Sequence, residues 1–290
     1  MEPDLFNCTS PAFMELSTLL ESLERNETEL NTIEAKKLSL RLRSVTDNME
    51  QYFGNDVHIT YRLLSHLMQF ENRQEGFGLT ATQDAQFTEN LLRAGSSVLM
   101  LSNREHWETL LHTERGSAGL MELFREYTGT LARNMKLTYL NPVGLVTPNI
   151  VVNIERVDNQ IPPRRHFPRY HSSLFRGQTS WDPHTHVVLP ASVLKPPKVE
   201  APPTVLPTPT NSENNLTTAV PPPKRAIPDP EPAATILVLL VYRTLGDLLP
   251  AKCSTDKRNL RLPKNPVMNS PIVSVAILRD QTFIYGDLEA

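Results

Sequence analysis

The first half of the chain carries apolar residues at every third or fourth position, which is the spacing of an amphipathic α-helix. Six such runs lie between residues 11 and 140, with glycine or polar residues between them. Amphipathic helices joined by short loops predict an all-α bundle, because each helix must bury its apolar stripe against the others. The predicted stripes, from the first helix to the sixth, are Phe13, Leu16, Leu20 and Leu23; Ile33, Leu38, Leu42, Val45, Met49 and Tyr52; Leu63, Leu64, Leu67 and Phe70; Phe87, Leu91, Ala94, Val98 and Leu101; Trp107, Leu110 and Leu111; and Leu120, Leu123, Phe124, Tyr127, Leu131 and Met135.

Capping and stop signals predict where these helices begin and end. Ser10 followed by Pro11 is typical of an N-cap with proline at the first helical position. Gly54 is expected to end the second helix, since glycine is favoured just past a helix C-terminus. Ser102 and Glu105 have the spacing of a capping box and predict the start of the fifth helix.

The pattern changes after Asn141-Pro142, where alternation and short apolar runs replace the helical spacing. Residues 149–157 alternate with a period of two, which predicts a half-buried strand. Residues 235–243 form a continuous apolar run with β-branched side chains, which is typical of a buried central strand. Further strand candidates are residues 187–189, 192–194, 271–278 and 281–285, the last two as a hairpin that turns at Arg279-Asp280.

Helices followed by strands, rather than alternating with them, predict an α+β fold. The expected order is a six-helix bundle followed by a partial, twisted antiparallel β-sandwich. So few strands would leave open sheet edges, so we expect further strands beyond Ala290. Residues 195–234, which hold many of the 25 prolines, interrupt the strands. They cannot bury enough apolar surface to offset the entropy of ordering, so we predict a disordered or extended linker there.

Charge and apolar content exclude several classes of function. The net charge is −3, from 29 basic and 32 acidic residues, so no strong field of either sign favours nucleic acid as a partner. No apolar run approaches the roughly 18–20 residues that cross a bilayer, so direct membrane insertion is not expected. The first residues, MEPDLFNCTS, lack the basic and apolar regions of a signal peptide.

Two cysteines and three glycosylation sequons are candidate sites of covalent modification. Cys8 and Cys253 are too few for a disulfide framework. They are two unrelated thiols, or they pair with each other, or Cys8 pairs with a cysteine upstream of this chain. The N-x-[ST] sequons begin at Asn7, Asn26 and Asn215, all in predicted loops, where a glycan could be attached.

Candidate catalytic and metal-binding residues are few. His184 and His186 would lie on the same face of a strand and could bind zinc, but no third ligand is evident. Surface or structural histidines are therefore the main interpretation, and a zinc hydrolase using these two residues is a remote alternative. His171 lies beside Ser172 without an orienting group or a strained nucleophile turn. We assign no catalytic residue, no metal ligand and no cofactor.

Two further groups of residues are singled out for binding or packing. Arg164, Arg165 and Arg169 form a small basic cluster in a predicted loop, which is either simply solvated or a docking patch or protease site. The largest packing contributions are expected from aromatic and aliphatic residues of the helices and of the long apolar strand. These are Trp107, Leu120, Phe124 and Tyr127 in the bundle, Ile236–Val241 in the sheet, and Trp181 at the junction between them.

Five stretches of the chain carry a specific resemblance. They are LFNCTSPAFMEL, NREHWETLLHTERGSAGLMELFREYTGTLARNMKLTYLNPVGLVTPNIVVNIERVD, WDPHTHVVLP, LVYRTLGDLLP and LPKNPVMNSPIVSVAI. Together they resemble the juxtamembrane extracellular region of the cadherin–EGF–LAG seven-pass adhesion receptors. The resemblance extends over nearly the whole chain and is weakest in the proline-rich linker.

The resemblance implies a GAIN domain, in which a helical subdomain A precedes a twisted β-sandwich, subdomain B, that ends in a proteolysis site. It implies that residues 1–10 end a preceding hormone-receptor-like domain, so that Cys8 would pair upstream. Subdomain A would then occupy residues 11–140. Subdomain B would occupy residues 141–194 and continue, incompletely, over residues 235–290 after the linker.

The implied function is that of a non-catalytic scaffold on the extracellular side of the plasma membrane. It would support the autoproteolysis region and couple cell–cell adhesion and planar polarity to receptor signalling. The implied partners are the other extracellular domains, the seven-helix region, and a homophilic or other protein ligand. The resemblance implies that the proteolysis site carries a His-Leu-Ser or His-Leu-Thr motif. In this sequence His66-Leu67 is followed by Met68, so we expect the chain to stop before the proteolysis site. The alternative is a stand-alone secreted or cytosolic interaction scaffold.

Overall fold

The computed structural model describes residues 8–74, 81–113, 115–134, 143–157, 164–167, 187–190, 235–249 and 271–279. Within these ranges the six long helices all precede the first strand, and the strands pair antiparallel. The predicted α+β class is therefore confirmed. No helix among the described residues combines the length and apolarity that a membrane span requires.

Helices and strands are numbered here in chain order. The α-helices are α1 (Met14–Glu24), α2 (Thr32–Asp47), α3 (Gly54–Gln74), α4 (Ala81–Val98), α5 (Arg104–Thr113), α6 (Gly116–Asn134) and the single turn α7 (Leu245–Leu248). Short 3-10 turns at Pro11–Phe13 and Leu101–Asn103 lead into α1 and α5. The strands are β1 (Val143–Val146), β2 (Ile150–Val157), β3 (Arg164–Phe167), β4 (Val187–Pro190), β5 (Thr235–Tyr242) and β6 (Ile272–Arg279).

The main sheet has four antiparallel strands in the order β1-β2-β5-β6. Strands β2 and β5 pair along their full length, from Ile150 opposite Tyr242 to Val157 opposite Thr235. Strand β5 lies between β2 and β6 and is buried at all eight positions, which confirms the predicted central strand. Strands β3 and β4 form a separate two-stranded ribbon.

The helical stripes predicted from the sequence form most of the core. Each of α1, α3, α4, α5 and α6 buries the apolar face expected of it, with aromatic residues at the centre. Helix α2 packs on α4, and α3 packs on α4, α5 and α6. Residues of the predicted stripes that are buried include Phe13, Leu16, Leu42, Leu63, Leu67, Phe87, Leu91, Trp107, Leu120, Phe124 and Tyr127.

Some positions within the predicted stripes lie outside the core. Ile33 is 66% exposed, Leu101 is 53% exposed and Leu111 is 38% exposed. In α2 the small residue Ala35 is fully buried, whereas Ile33 lies roughly opposite it around the helix. Apolar identity alone therefore assigned Ile33 to the wrong face.

Three predicted helix boundaries differ from those observed. The Ser10 side chain makes no capping hydrogen bond, and its backbone N–H donates to Asp56 instead. Gly54 does not end α2, which stops at Asp47, but is the first residue of α3. Ser102 lies within the 3-10 turn that precedes α5, so it is not that helix's N-cap. At Ser10 a tertiary contact, the hydrogen bond to Asp56, takes the place of the local capping bond.

The prediction that residues 149–157 form a half-buried strand was wrong in one respect. Residues 150–155 are buried on both faces of the sheet, including Asn153 and Glu155 on the face away from the helices. The basic pair Arg164-Arg165 was expected in a loop, but it lies in β3, opposite Leu189 and Pro190 of β4. Strand β1 and the turn α7 were not predicted, because both are only four residues long.

Several predictions fall outside the described residues. They are the linker at 195–234, the strand candidates 192–194 and 281–285, and the side chains Met135, Arg169, His171, Trp181, His184, His186 and Cys253, together with the sequons at Asn7 and Asn215.

Candidate functional site: the helix–sheet junction

The helices and the sheet meet along one continuous apolar surface, which we call the helix–sheet junction. Helix α4 packs on β2, α6 packs on β5 and β6, and α5 packs on α7. The inward-facing residues of β2 and β5 belong to the same buried cluster as the helix stripes. These strand residues are Ile150, Val152, Ile154, Ile236, Val238, Leu240 and Tyr242.

Gly95 on α4 allows the closest approach in this junction. A Cβ atom at position 95 would lie 2.5 Å from Cζ and 2.7 Å from Cε2 of Phe124 on α6, and 3.7 Å from Cδ1 of Ile150 on β2. Phe124 is fully buried, so its ring has little freedom to move away. The absence of a side chain at Gly95 is what lets α4, α6 and β2 meet at one point.

A polar clamp joins the end of α4 to the start of β2. The backbone N–H of Asn149 donates to Oγ of Ser96 at 2.9 Å, and its Nδ2 donates to the Ser96 carbonyl at 2.8 Å. The Asn149 carbonyl in turn accepts from the backbone N–H of Arg243, just after β5, at 3.0 Å. One asparagine thus connects a helix to both central strands.

A tight turn at residues 147–150 holds Asn149 in place. The Thr147 N–H and hydroxyl both donate to the Ile150 carbonyl, at 2.9 and 2.7 Å. The Ile150 N–H donates back to Thr147 Oγ1 at 3.1 Å. Because Thr147 and Ile150 are buried, these bonds are shielded from water.

Side chains from three directions satisfy the free carbonyls at the C-terminus of α4. A helix leaves its last carbonyls without intrahelical partners, so buried ends need outside donors. Trp107 Nε1 and Asn103 Nδ2 donate to the Val98 carbonyl, at 2.9 and 3.1 Å. Thr244, after β5, donates from Oγ1 to the Leu99 carbonyl at 2.6 Å. The sheet therefore caps α4.

Two further bonds join the sheet end to α6. Ser117 Oγ donates to the Leu248 carbonyl of α7 at 3.1 Å, and the Tyr242 hydroxyl donates to the Met121 carbonyl at 3.4 Å. Burial, with a smaller effect from Glu122, raises the pKa of Tyr242 above its ordinary value of 10.0. The hydroxyl therefore stays neutral, and its contribution to stability is complete below about pH 10 and is lost only as the pH rises further.

A second polar cluster, the N-terminal strap, ties residues 9 and 10 to the start of α3. The fully buried carboxylate of Asp56 accepts from the Ser10 N–H at 2.9 Å and from the Phe53 N–H at 3.0 Å. Asn55 Nδ2 donates to Thr9 Oγ1 at 2.6 Å. Carboxylate oxygens that accept backbone N–H groups make strong, charge-assisted hydrogen bonds.

The structure brings together some of the residues singled out from the sequence and separates others. Trp107, Leu120, Phe124 and Tyr127 are all buried within the helices, as expected. Trp107 also meets Tyr61 edge-on, with ring centroids 6.2 Å apart. No group of metal-ligating side chains occurs within the described part of the chain.

The structure describes two of the predicted modification sites, Cys8 and Asn26. Cys8 is half-buried and immediately precedes the N-terminal strap. Asn26 is exposed in the left-handed backbone region, with φ of 56°, just after α1. The junction residues Ser96 and Asn149 were missed, because isolated polar residues carry no local motif and their partners are distant in sequence.

Comparison with known proteins places these features in a family. Residues 13–132 match a GAIN family model described as AGRL2-4 GAIN subdomain A. The chain is 56% identical over 296 residues to human cadherin EGF LAG seven-pass G-type receptor 3, covering 100% of this chain and 9% of that protein. It is 41% identical over 285 residues to human receptor 2 of the same name, covering 98% of this chain and 10% of that protein. It is 35% identical over 299 residues to mouse receptor 1 of the same name, covering 100% of this chain and 10% of that protein.

The chain thus spans about a tenth of the length of these relatives, while nearly all of its own residues align with them. The family model begins at Phe13, the first residue of the first stripe, and ends at residue 132, within the last turn of α6. The chain belongs to the cadherin EGF LAG seven-pass G-type receptor family and contains the GAIN region of such a receptor.

Proposed function

We propose that the chain is an extracellular, juxtamembrane support element of a seven-pass adhesion receptor. It couples cell–cell adhesion and planar polarity to receptor signalling without catalysing a reaction. The observation that carries the proposal is the continuous core across the helix–sheet junction. Because close-packed interiors resist deformation, a displacement of the sheet is opposed by the packing of the helices. Such a unit suits a segment between adhesion modules and membrane spans.

The proposed division of the chain follows the GAIN architecture. Residues 11–140 form subdomain A as a six-helix bundle, and residues 1–10 end a preceding hormone-receptor-like domain. Residues 141–194 and 235–290 supply strands of subdomain B, a twisted β-sandwich, and residues 195–234 are a linker within it. The burial of β2 and β5 on both faces supports a second layer over the sheet.

The proposed partners are other extracellular domains of the same receptor, its seven-helix region, and a homophilic or other protein ligand. We place the chain on the extracellular side of the plasma membrane, with neither nucleic acid nor the bilayer as a direct partner. In this setting Asn7, Asn26 and Asn215 carry N-linked glycans. Asn26 and Thr28 of the second sequon are both exposed, so an attached glycan would extend into solvent.

Cys8 is proposed to pair with a cysteine of the preceding domain. Because Thr9 and Ser10 are held by Asn55 and Asp56, such a bridge would fix that domain against the start of α3. A load from the adhesion modules would then enter the helices at the N-terminal strap and leave through the sheet.

Single-molecule pulling on the full chain, with handles on its two ends, tests the mechanical part of this proposal. We expect the helices and the main sheet to unfold in one event, because they share a core. The contour length released in that event should account for both parts. A separate step at lower force that releases the sheet while the helices stay folded would contradict the proposal.

A further inference from the structure

A groove lies between α2 and α4. Its volume is ≈ 200 Å³, and it is partly open to solvent. Lys36, Lys37 and Leu40 of α2 line one wall, and Gln86, Phe87 and Asn90 of α4 line the floor and the other wall. Pockets for whole small molecules are usually about 300–1,000 Å³, so this groove has room for one or two side chains of a larger partner.

The residues at the floor of the groove are held in place, and the Asn90 side chain already has hydrogen-bond partners. Phe87 is 1% exposed and so forms a fixed apolar surface. Asn90 donates from Nδ2 to Ser39 Oγ at 3.3 Å and accepts from Arg43 at 3.0 Å. An occupant therefore gains most of its contacts from the rim, where Leu40 is 52% exposed, and it does not have to displace the hydrogen bonds of Asn90.

The rim carries positive charge that the described residues do not neutralise. Each arginine around the groove has an acidic partner: Arg43 contacts Asp47 and Glu89, and Arg93 contacts Glu89. In contrast, Lys36 and Lys37 make no ion pair within the described part of the chain. Two adjacent ammonium groups thus remain available to a negatively charged partner.

Apolar side chains flank the same lysines. Leu40 is 52% exposed, and Ile33, seven residues before it and hence on the same face of α2, is 66% exposed. The stripe formed by Ile33, Lys37 and Leu40 continues into the groove at Phe87. The surface therefore offers two exposed apolar side chains beside two lysines that make no ion pair among the described residues, a combination that is complementary to a partner with apolar and acidic groups.

We propose that this groove docks an acidic, amphipathic helical segment of a partner protein, with an apolar side chain packed against Leu40 over the groove and carboxylates against Lys36 and Lys37. A helix fits because Ile33, Lys37 and Leu40 repeat at helical spacing, which a partner helix matches with residues one and two turns apart. A sulfated glycan or an anionic lipid headgroup would pair with the lysines but would gain no apolar contact with Leu40 or Phe87. This site is independent of the mechanical role proposed above.

The test is fluorescence anisotropy with the full chain and a labelled helical peptide that carries a leucine stripe flanked by glutamates. We expect saturable binding that weakens with added salt, and no binding of the same peptide with lysines in place of the glutamates. The Lys36→Glu, Lys37→Glu double variant should weaken binding about tenfold or more. The Leu40→Ser variant should weaken it several-fold.

Matched controls separate the groove from general effects of charge and apolar surface. The Arg25→Glu, Arg104→Glu double variant changes the net charge equally but at exposed ion pairs at the C-terminal end of α1 and on α5, and should bind like the unmodified chain. Met14→Ser removes an equally exposed apolar side chain elsewhere and should also have no effect. Equal binding to all variants, or no binding of the glutamate peptide, would overturn the proposal. Binding of heparin or anionic vesicles that needs the lysines but not Leu40 would overturn it in favour of a glycan or lipid site.

Discussion

Replacing Gly95 with valine is expected to destabilise the chain by about 3 kcal/mol. The new Cβ would lie 2.5 Å from the ring of Phe124, which is buried between α4, α6 and β2. Either the ring or the whole of α4 must move, and both belong to the core that joins helices and sheet. Chemical denaturation followed by circular dichroism measures the loss in the free energy of unfolding.

Gly129 provides a matched control for this substitution. It lies inside α6, and a Cβ there would meet only the Arg133 side chain, at an ordinary 3.7 Å. Since glycine is itself unfavourable in a helix interior, Gly129→Val should be close to neutral, within about 0.5 kcal/mol. If the two variants lost the same stability, crowding against Phe124 would not be the cause.

The second large effect is expected from Asp56→Ala in the N-terminal strap. The substitution leaves the N–H groups of Ser10 and Phe53 without their acceptor, in a place where the carboxylate was fully buried. Each unsatisfied buried donor costs about 1–3 kcal/mol, so we expect a total of about 3 kcal/mol. Thermal and chemical unfolding both report this loss, and Asp56→Asn, which keeps one acceptor oxygen, should lose less.

Asp47→Ala is the control for the strap. Asp47 accepts from Arg43 at 3.3 Å on the surface of α2, as an i,i+4 ion pair. Exposed pairs of this type contribute less than about 1 kcal/mol, so its removal should change stability little. A loss from Asp56→Ala that is no larger than the loss from Asp47→Ala would show that the strap is not a strong contact.

The parts of the fold that could be predicted from the sequence depend on local periodicity. Phe124 and Tyr127 were placed in the core because they recur at helical spacing, and β5 was predicted as a buried strand because its apolar run is unbroken. Ile33 was misplaced because apolar identity alone does not show that a residue lies on the buried face of its helix. The role of Gly54 was misread because a glycine between two helices does not show whether it follows the first helix or begins the second.

The polar contacts of the junction could not be predicted in the same way. Ser96 and Asn149 are 53 positions apart, and Ser117 and the Leu248 carbonyl are 131 apart. No spacing rule connects such residues, since they meet only after the helices and strands have packed. The close approach at Gly95 is likewise set by Phe124 and Ile150, and a lone glycine in a helix has many possible explanations.

Native-state hydrogen exchange tests the claim of a single mechanical unit most directly. We expect the amides of β5 and those of α4 and α6 facing the junction to exchange only through one opening, with the same free energy and the same dependence on denaturant. The shared core at Ile150, Phe124 and Tyr242 is the reason. Exchange of β5 through a separate opening of clearly lower free energy, while α4 and α6 remain protected, would contradict the account.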